Sequence, residues 1–220
     1  MPETIRKPLI QKMPELPGTV YISETGEKVN ILDRRQDAYY DTVTLAQSSY
    51  PYTITDNFSL DFFTNVSTKG KQFSSFTVDK KIVQQEQIKV YKLGLMPRLF
   101  YGNVRITDED NKKVLESGYA WFAKNENKKK AGPCLFWPSG FGLAGATVES
   151  NDYFCSIGVP SPAAIPNLAT PFDLVDTDTI EGKIEWPSSS LAYYTRPSIS
   201  TPVTITMVIF GFIKRSGLRD

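Results

Sequence analysis

The sequence predicts an all-β protein, an antiparallel β-sandwich, and three observations carry that expectation. The first is side-chain alternation with a period of two, clearest in PVTITMVIFGFIKR, Pro202 to Arg215. Val203, Ile205, Met207, Ile209 and Ile213 share one face with Gly211. Thr204 and Thr206 begin the other face, which Val208, Phe210 and Phe212 then take over. β-branched residues at this period are strand chemistry. At about 3.4 Å per residue such a strand spans roughly 40 Å, and its second half requires cover on both faces. The second observation is composition: 13 Phe, 11 Tyr, 15 Pro and 14 Gly, which favours many turns over long helices. The third is the spacing of roughly eight or nine strand-like runs after Leu45, with no internal repeat, which suits one sandwich.

In chain order, Met1 to Gly18 carries Pro2, Pro8, Pro14 and Pro17, a density that forbids a helix and suits an extended arm. Arg6, Lys7 and Lys12 give it a mild positive bias, and it has no apolar core of the kind a secretory signal needs. Synthesis in the cytoplasm is therefore expected. Thr19 to Leu32 predicts a hairpin that turns through Glu24 to Glu27. Asp33 is placed to cap a short helix over Arg34 to Tyr40, the one helix the sequence suggests. Residues 19–45 are thus hairpin and short helix or linker, and residues 46–220 form the sandwich.

Within the sandwich, Tyr52 to Phe63 predicts a strand with Tyr52, Ile54, Phe58, Leu60 and Phe62 facing in. Asp56 breaks that row, so a bulge or kink is expected near Asp56-Asn57. A turn at Thr68 to Lys71 is followed by a short strand through Phe76 and Val78. Gln87 to Met96 is a strand whose apolar residues change face, Ile88 and Val90 against Leu93 and Leu95, which predicts a bulge near Lys92. Pro97 ends it or marks an edge. Phe100 to Thr107 reads as strand, Asp108 to Asn111 as a turn and Val114 to Lys124 as strand. Asn125 to Lys130 reads as a solvated loop. Asp152 to Val159 alternates again, a proline-rich loop follows from Pro160 to Pro171, and Thr179 to Trp186 alternates cleanly.

The chemistry is sparse. The chain has 25 basic and 24 acidic residues, so no general polyanion-binding charge exists. It has no histidine, which removes His-based hydrolases, His-ligated zinc or iron and cupin metal centres. No apolar run reaches the ~20 residues of a membrane helix. Cys134 and Cys155 read as buried thiols, and their pairing is left open. Asp108, Glu109 and Asp110 lack EF-hand spacing and read as a charged turn; Asp173, Asp176 and Asp178 read the same way. Carboxylate pairs for glycoside hydrolysis stay open, since such pairs meet in space. Lys128, Lys129 and Lys130 form the densest basic run, read as solvated, with contact to nucleic acid or an acidic partner as the alternative. Phe136 to Gly145 is glycine-rich without a phosphate-loop lysine. Asn57-Phe58-Ser59 and Asn65-Val66-Ser67 match the glycosylation pattern but carry little weight without a signal. No catalytic residue, metal ligand or cofactor is predicted.

Three stretches taken in order, Leu60 to Leu95 with its double-Phe strand, Asp178 to Leu191 with its Trp-Pro ending, and the final VTITMVIFGFIKR strand, make the chain similar to a known group. It resembles the single jelly-roll capsid proteins of icosahedral, tailless, often membrane-containing bacterial and archaeal viruses. The resemblance spans roughly residues 50 to 215. It implies a single jelly roll of about eight strands with an extended N-terminal arm. It also implies a major, minor or penton shell subunit of the virion. Such a subunit assembles with itself and other capsid proteins, with viral membrane or genome on the inner face, and has no small-molecule substrate. The alternative is a β-sandwich receptor- or carbohydrate-binding domain of a phage fibre or spike, which would present Trp121, Trp137 or Trp186 on an exposed face.

Overall fold

The computed structural model describes residues 20–22, 28–30, 35–84, 86–98, 100–101, 104–105, 108–138, 143–146, 154–157, 165–186 and 196–215. The predicted arm, Met1 to Gly18, lies outside them. Two compact units emerge, Met1–Arg35 and Gln36–Asp220. In the first, β1 (Val20–Ile22) and β2 (Lys28–Asn30) form the expected antiparallel hairpin, with Tyr21 opposite Val29.

The second unit is an antiparallel β-sandwich. Its eight main strands are β3 (Arg35–Leu45), β5 (Phe58–Phe62), β6 (Glu86–Pro97), β9 (Tyr119–Lys124), β10 (Asn127–Pro133), β13 (Phe172–Val175), β14 (Ile180–Trp186) and β16 (Val203–Arg215). Two short pairs decorate it: β4 (Tyr52–Thr53) with β15 (Ser198–Ile199), and β7 (Phe100–Tyr101) with β8 (Val104–Arg105). A third is β11 (Leu143–Ala146) with β12 (Phe154–Ile157). One helix, α1 (Asp108–Ser117), precedes β9.

The two large sheets run β13-β6-β16-β3 and β10-β9-β14-β5. Numbered one to eight along the chain, the main strands therefore lie 1-8-3-6 in one sheet and 2-7-4-5 in the other. The chain changes sheet at every step except β9 to β10. That hairpin turns on Asn125 and Glu126, both at positive φ (48° and 65°), the geometry of a two-residue turn between twisted strands.

One core lies between the inner faces. Ile180, Ile184 and Trp186 of β14 meet Ile205, Met207 and Ile209 of β16, and Phe62, Phe63 and Phe122 fill the middle. The sheets approach so closely at Gly182 that an added Cβ would lie 2.6 Å from Met207 Sδ and 2.7 Å from Phe63 Cε2. The long strand β16 is central, between β6 and β3, and its inward row is the one the sequence gives away. The face change in β6 is a bulge: Lys92 pairs with Phe210 and Val90 with Gly211, leaving Tyr91 as the extra residue. Ile88, Val90, Leu93 and Leu95 all reach the core as a result.

Several expectations are overturned. Of the helix expected over Arg34 to Tyr40, the described residues, Arg35 to Tyr40, are strand: β3 starts at Arg35, so the sandwich unit begins well before residue 46. Tyr39, Asp41 and Leu45 are buried on one face, and Thr42 and Thr44 bond β16 threonines on the other, so pairing with a central strand overrides the weak local helix signal. Asp108 to Asn111 opens α1 instead of turning, and Val114 to Ser117 completes that helix. Acidic residues suit a first helical turn, Glu109 pairs with Lys113 one turn on, and Val114 and Leu115 are buried. Asn125 to Lys130 is hairpin and strand, not loop. Tyr52 to Phe63 is two strands with different partners in place of one, although the break, a turn with Asn57 at φ 56°, falls where the sequence predicts a kink. Phe76 and Val78 lie in an anchored loop with isolated bridges, not a strand. Among the described residues Phe100 to Thr107 forms the antiparallel pair β7 and β8 in place of one strand, and β13 follows the proline-rich stretch unannounced.

Candidate interaction surfaces

A sandwich has two open sides, where the last strands of its sheets leave backbone groups unpaired. On one side the edge of β6 beyond β13 is sealed, while β10 stays an exposed edge strand. Along β6 beyond the end of β13, Leu168 N–H donates to Tyr91 O (2.8 Å), Lys130 Nζ to Leu93 O (2.9 Å), and Leu95 N–H to Trp137 O (2.9 Å). Lys124 Nζ adds a bond to Asp173 O at 2.7 Å and an ion pair to Asp178 at 2.8 Å. Phe122 and Phe172 stack behind them at 5.9 Å.

Lys130 is the costly member of that seal. Its Nζ lies 4.4 Å from the centre of the buried Trp137 ring, and burial pushes its pKa down to about 8. Folding therefore disfavours the charged amine. Between about pH 8 and the ordinary lysine value of 10.5 the unfolded chain binds the extra proton, so Lys130's contribution to stability rises with pH. Burial lifts the Cys134 thiol to about 12 and so acts oppositely above its ordinary 9.0, which makes a difference measurement necessary. The unfolding free energy of wild type minus that of Lys130→Met is expected to rise by on the order of 2 kcal/mol from about pH 7 to pH 10. A flat difference in denaturant titrations would contradict this assignment.

The opposite side is open. Between the edge strands β3 and β5 lies a cleft of about 630 Å³. Thr42 to Thr44 line one wall, Ser59 to Asp61 the other, and Thr64, Asn65, Thr68, Lys69 and Phe73 close one end. The segment that supplies this closure, Phe63 to Val83, is pinned. Asp41, fully buried, accepts Phe63 N–H at 2.6 Å and pairs with Lys69 Nζ at 2.7 Å. Asp79 accepts the N–H groups of Asn65 (3.0 Å) and Val66 (2.8 Å). Ser75 bonds the backbone of Tyr40 in both directions, so the edge of β3 is covered as far as Asp41, and among the described residues none covers it beyond that point. Thr42 pairs with Thr206 (2.9 Å) and Thr44 with Thr204 (3.1 Å) across the outer face. Arg98 donates to Thr206 Oγ1 at 3.1 Å and lies over the Phe73 ring at 5.2 Å.

The residues singled out in the sequence take structural roles. Asp110 is buried and accepts Ser200 N–H, Thr201 N–H and the Thr201 hydroxyl, at 2.8 to 3.1 Å. Burial acts to raise the Asp178 pKa, but Lys124, Val175 N–H and Asn125 together hold it below the usual carboxylate value. Asp173 is exposed and Asp176 half-buried. Among the described residues no group of three or more acids and thiols is placed to hold a metal. Cys134 is a buried free thiol, and the Cys155 side chain lies outside the described residues. Asn57 and Asn65 of the glycosylation patterns both occupy left-handed turn positions, which suit asparagine.

Lys128 and Lys130 belong to the edge strand β10, where a register shift between them bends the strand. Charged side chains and a bulge on an edge strand oppose unwanted pairing. Lys128 and Lys183 lie over Trp121 at 5.0 and 5.8 Å, while its indole N–H donates to Glu185 at 2.8 Å. Trp137 and Trp186 are core residues, 1% and 2% exposed, and so present no binding face. The sequence offers no sign of the open cleft, because its walls come from separate strands and its end from a third segment.

No family model, no curated protein and no solved structure matches this chain.

Proposed function

We propose that this protein is a structural subunit of a viral capsid, acting by self-assembly with copies of itself and other shell proteins. The observation that supports this most is the winding, 1-8-3-6 against 2-7-4-5, the connectivity of a double-sheet jelly roll. Capsid proteins, lectin domains and cupins use that architecture. A chain without histidine lacks the usual cupin ligands, and the burial of Trp137 and Trp186 removes two of the three aromatic residues a sugar-binding face would use. The sandwich itself is suited to building: the β6 edge is sealed, the side between β3 and β5 is open, and Asp110 and Asp178 hold segments together.

In this reading the arm ties adjacent subunits. Met1 to Gly18 carries Ile5, Leu9, Ile10, Met13 and Leu16 among its four prolines. Each such side chain gains about 1.5–3 kcal/mol when fully buried, against about 1–2 kcal/mol per residue for ordering the backbone. Over the whole arm the ordering cost exceeds that gain, so a fixed conformation depends on further contacts that a neighbour supplies. Deleting residues 1–18 is expected to leave the melting temperature of the free subunit nearly unchanged and to weaken assembly. Sedimentation velocity over a concentration series checks this. Equal assembly of the truncated and full chains at one salt concentration would remove the arm from the account.

A further inference from the structure

We infer that the open cleft between β3 and β5 is the acceptor site for one extended segment, the proline-flanked stretch Leu9 to Met13 of a second copy of this chain. This rests on the assembly reading above and adds the place where the contact is made.

The argument begins with spacing. Face-packed sheets lie about 10 Å apart, and hydrogen-bonded strands about 4.8 Å apart. A seam bounded by the facing edges of two packed sheets is therefore about one strand wide. A segment laid in it can bond to Thr42–Thr44 on one side and Ser59–Asp61 on the other. Both stretches line the cleft, and both belong to terminal strands of their sheets. Addition of such a strand extends the ladder of the edge it pairs with and covers the edge facing it. The seam is also bounded lengthwise. Ser74 and Ser75 already cover β3 as far as Asp41, and the pinned segment from Thr64 to Phe73 blocks one end, so only a short strand fits.

The occupant must be extended, short and able to donate backbone hydrogen bonds. Leu9 to Met13, LIQKM, bounded by Pro8 and Pro14, is the more apolar of the arm's two five-residue proline-free runs: it carries Leu9, Ile10 and Met13, where Glu3 to Lys7 carries Ile5 alone. Proline on either side holds the chain extended and stops pairing from spreading further. Alternation places Leu9, Gln11 and Met13 on one face and Ile10 and Lys12 on the other. The cleft offers apolar contact at Val43, Leu60 and the partly exposed Phe73. It offers hydroxyls elsewhere, and the half-exposed Asp61 carboxylate, paired with Lys183 at 3.2 Å, is opposite in charge to Lys12.

The test is hydrogen exchange on the full chain over a concentration series, read at the amides of Thr42–Thr44 and Ser59–Asp61 that point away from β16 and β14. These amides are expected to slow by at least about tenfold as copies associate. The protection is expected to be lost both in Thr44→Trp, which fills the cleft, and in Leu9→Asp/Met13→Asp, which leaves the sandwich untouched. Unchanged exchange along β16 verifies folding in each variant. Fast exchange at these edges in the associated protein overturns the inference, as does protection that survives the arm variant or is independent of concentration. If closed shells form while the edges stay fast, the inference fails and the capsid reading stands. If the edges are protected only in small oligomers that never form shells, the capsid reading fails and the acceptor site stands.

Discussion

Replacing Gly211 by alanine is expected to destabilise the sandwich by more than about 3 kcal/mol, the larger end of what overpacking costs. Gly211 sits in the central strand β16 opposite Val90, immediately after the bulge that shifts β6 by one residue. A Cβ there would lie 2.3 Å from the Lys89 carbonyl oxygen and 2.7 Å from Ile88 Cγ1. Backbone is the nearer obstacle, so no rotamer change relieves the clash. The two strands must separate where the ladder is longest. For a domain of this size each kcal/mol lowers the melting temperature by about 2–4 °C, so a fall of roughly 6–12 °C is expected. Gly70, where the nearest atoms belong to the flexible end of Gln72, supplies the control: alanine there is expected to change stability by less than about 0.5 kcal/mol. A melting temperature for Gly211→Ala within 2 °C of wild type, about one kcal/mol or less, would mean that the bulge is not where the register places it.

Asp41→Ala is expected to cost about 3 kcal/mol and to open the end of the cleft. The Asp41 carboxylate is inaccessible to solvent, yet it sits in the inward row of β3, where apolar residues flank it. Two partners justify its position: Phe63 N–H at 2.6 Å and Lys69 Nζ at 2.7 Å. Phe63 is itself held at φ 62°, an unusual conformation for a bulky residue, while its ring packs on Phe76 at 4.9 Å and Phe122 at 6.0 Å. Removing the carboxylate leaves a buried N–H without its acceptor and a lysine without its counter-charge. Breaking a fully buried pair costs about 3–5 kcal/mol, and the 18% exposure of Lys69 places the expectation at the lower end. Denaturant unfolding gives the size of the loss. Faster hydrogen exchange at Asn65 and Val66, with β16 unchanged, locates it. Wild-type exchange in that loop would show that Asp79 alone holds it.

The strands that could be read in advance are those whose alternation is uninterrupted and whose burial is high. In β14, Ile180, Gly182, Ile184 and Trp186 face in against Glu181, Lys183 and Glu185, and β16 repeats the pattern over a longer stretch. Even the bulge at Tyr91 is legible, because Leu93 and Leu95 would otherwise leave the core. The edge strands defeat this kind of reading. Asp41 interrupts the inward row of β3, and its reason, the N–H of Phe63 and the amine of Lys69, lies over twenty residues away. β10 begins as Asn-Lys-Lys-Lys because an edge strand tolerates charge, which makes it look like loop. β13 has four residues, too few for a pattern to emerge. Asp108 to Asn111 suits either a turn or the first turn of a helix, and only the burial of Val114 and Leu115 decides between them. The cleft is less legible still: it depends on which two strands end their sheets on the same side, a property of the winding that no single stretch encodes.

Electron microscopy of the purified full-length protein, over a range of concentration and salt, tests the central claim most directly. A capsid subunit of this kind is expected to form closed shells, or regular rings and plates of fivefold or sixfold symmetry, which disperse when residues 1–18 are removed. A compact monomer or trimer at every concentration, joined with measurable affinity for a glycan or receptor, would contradict self-assembly and favour a binding domain in its place.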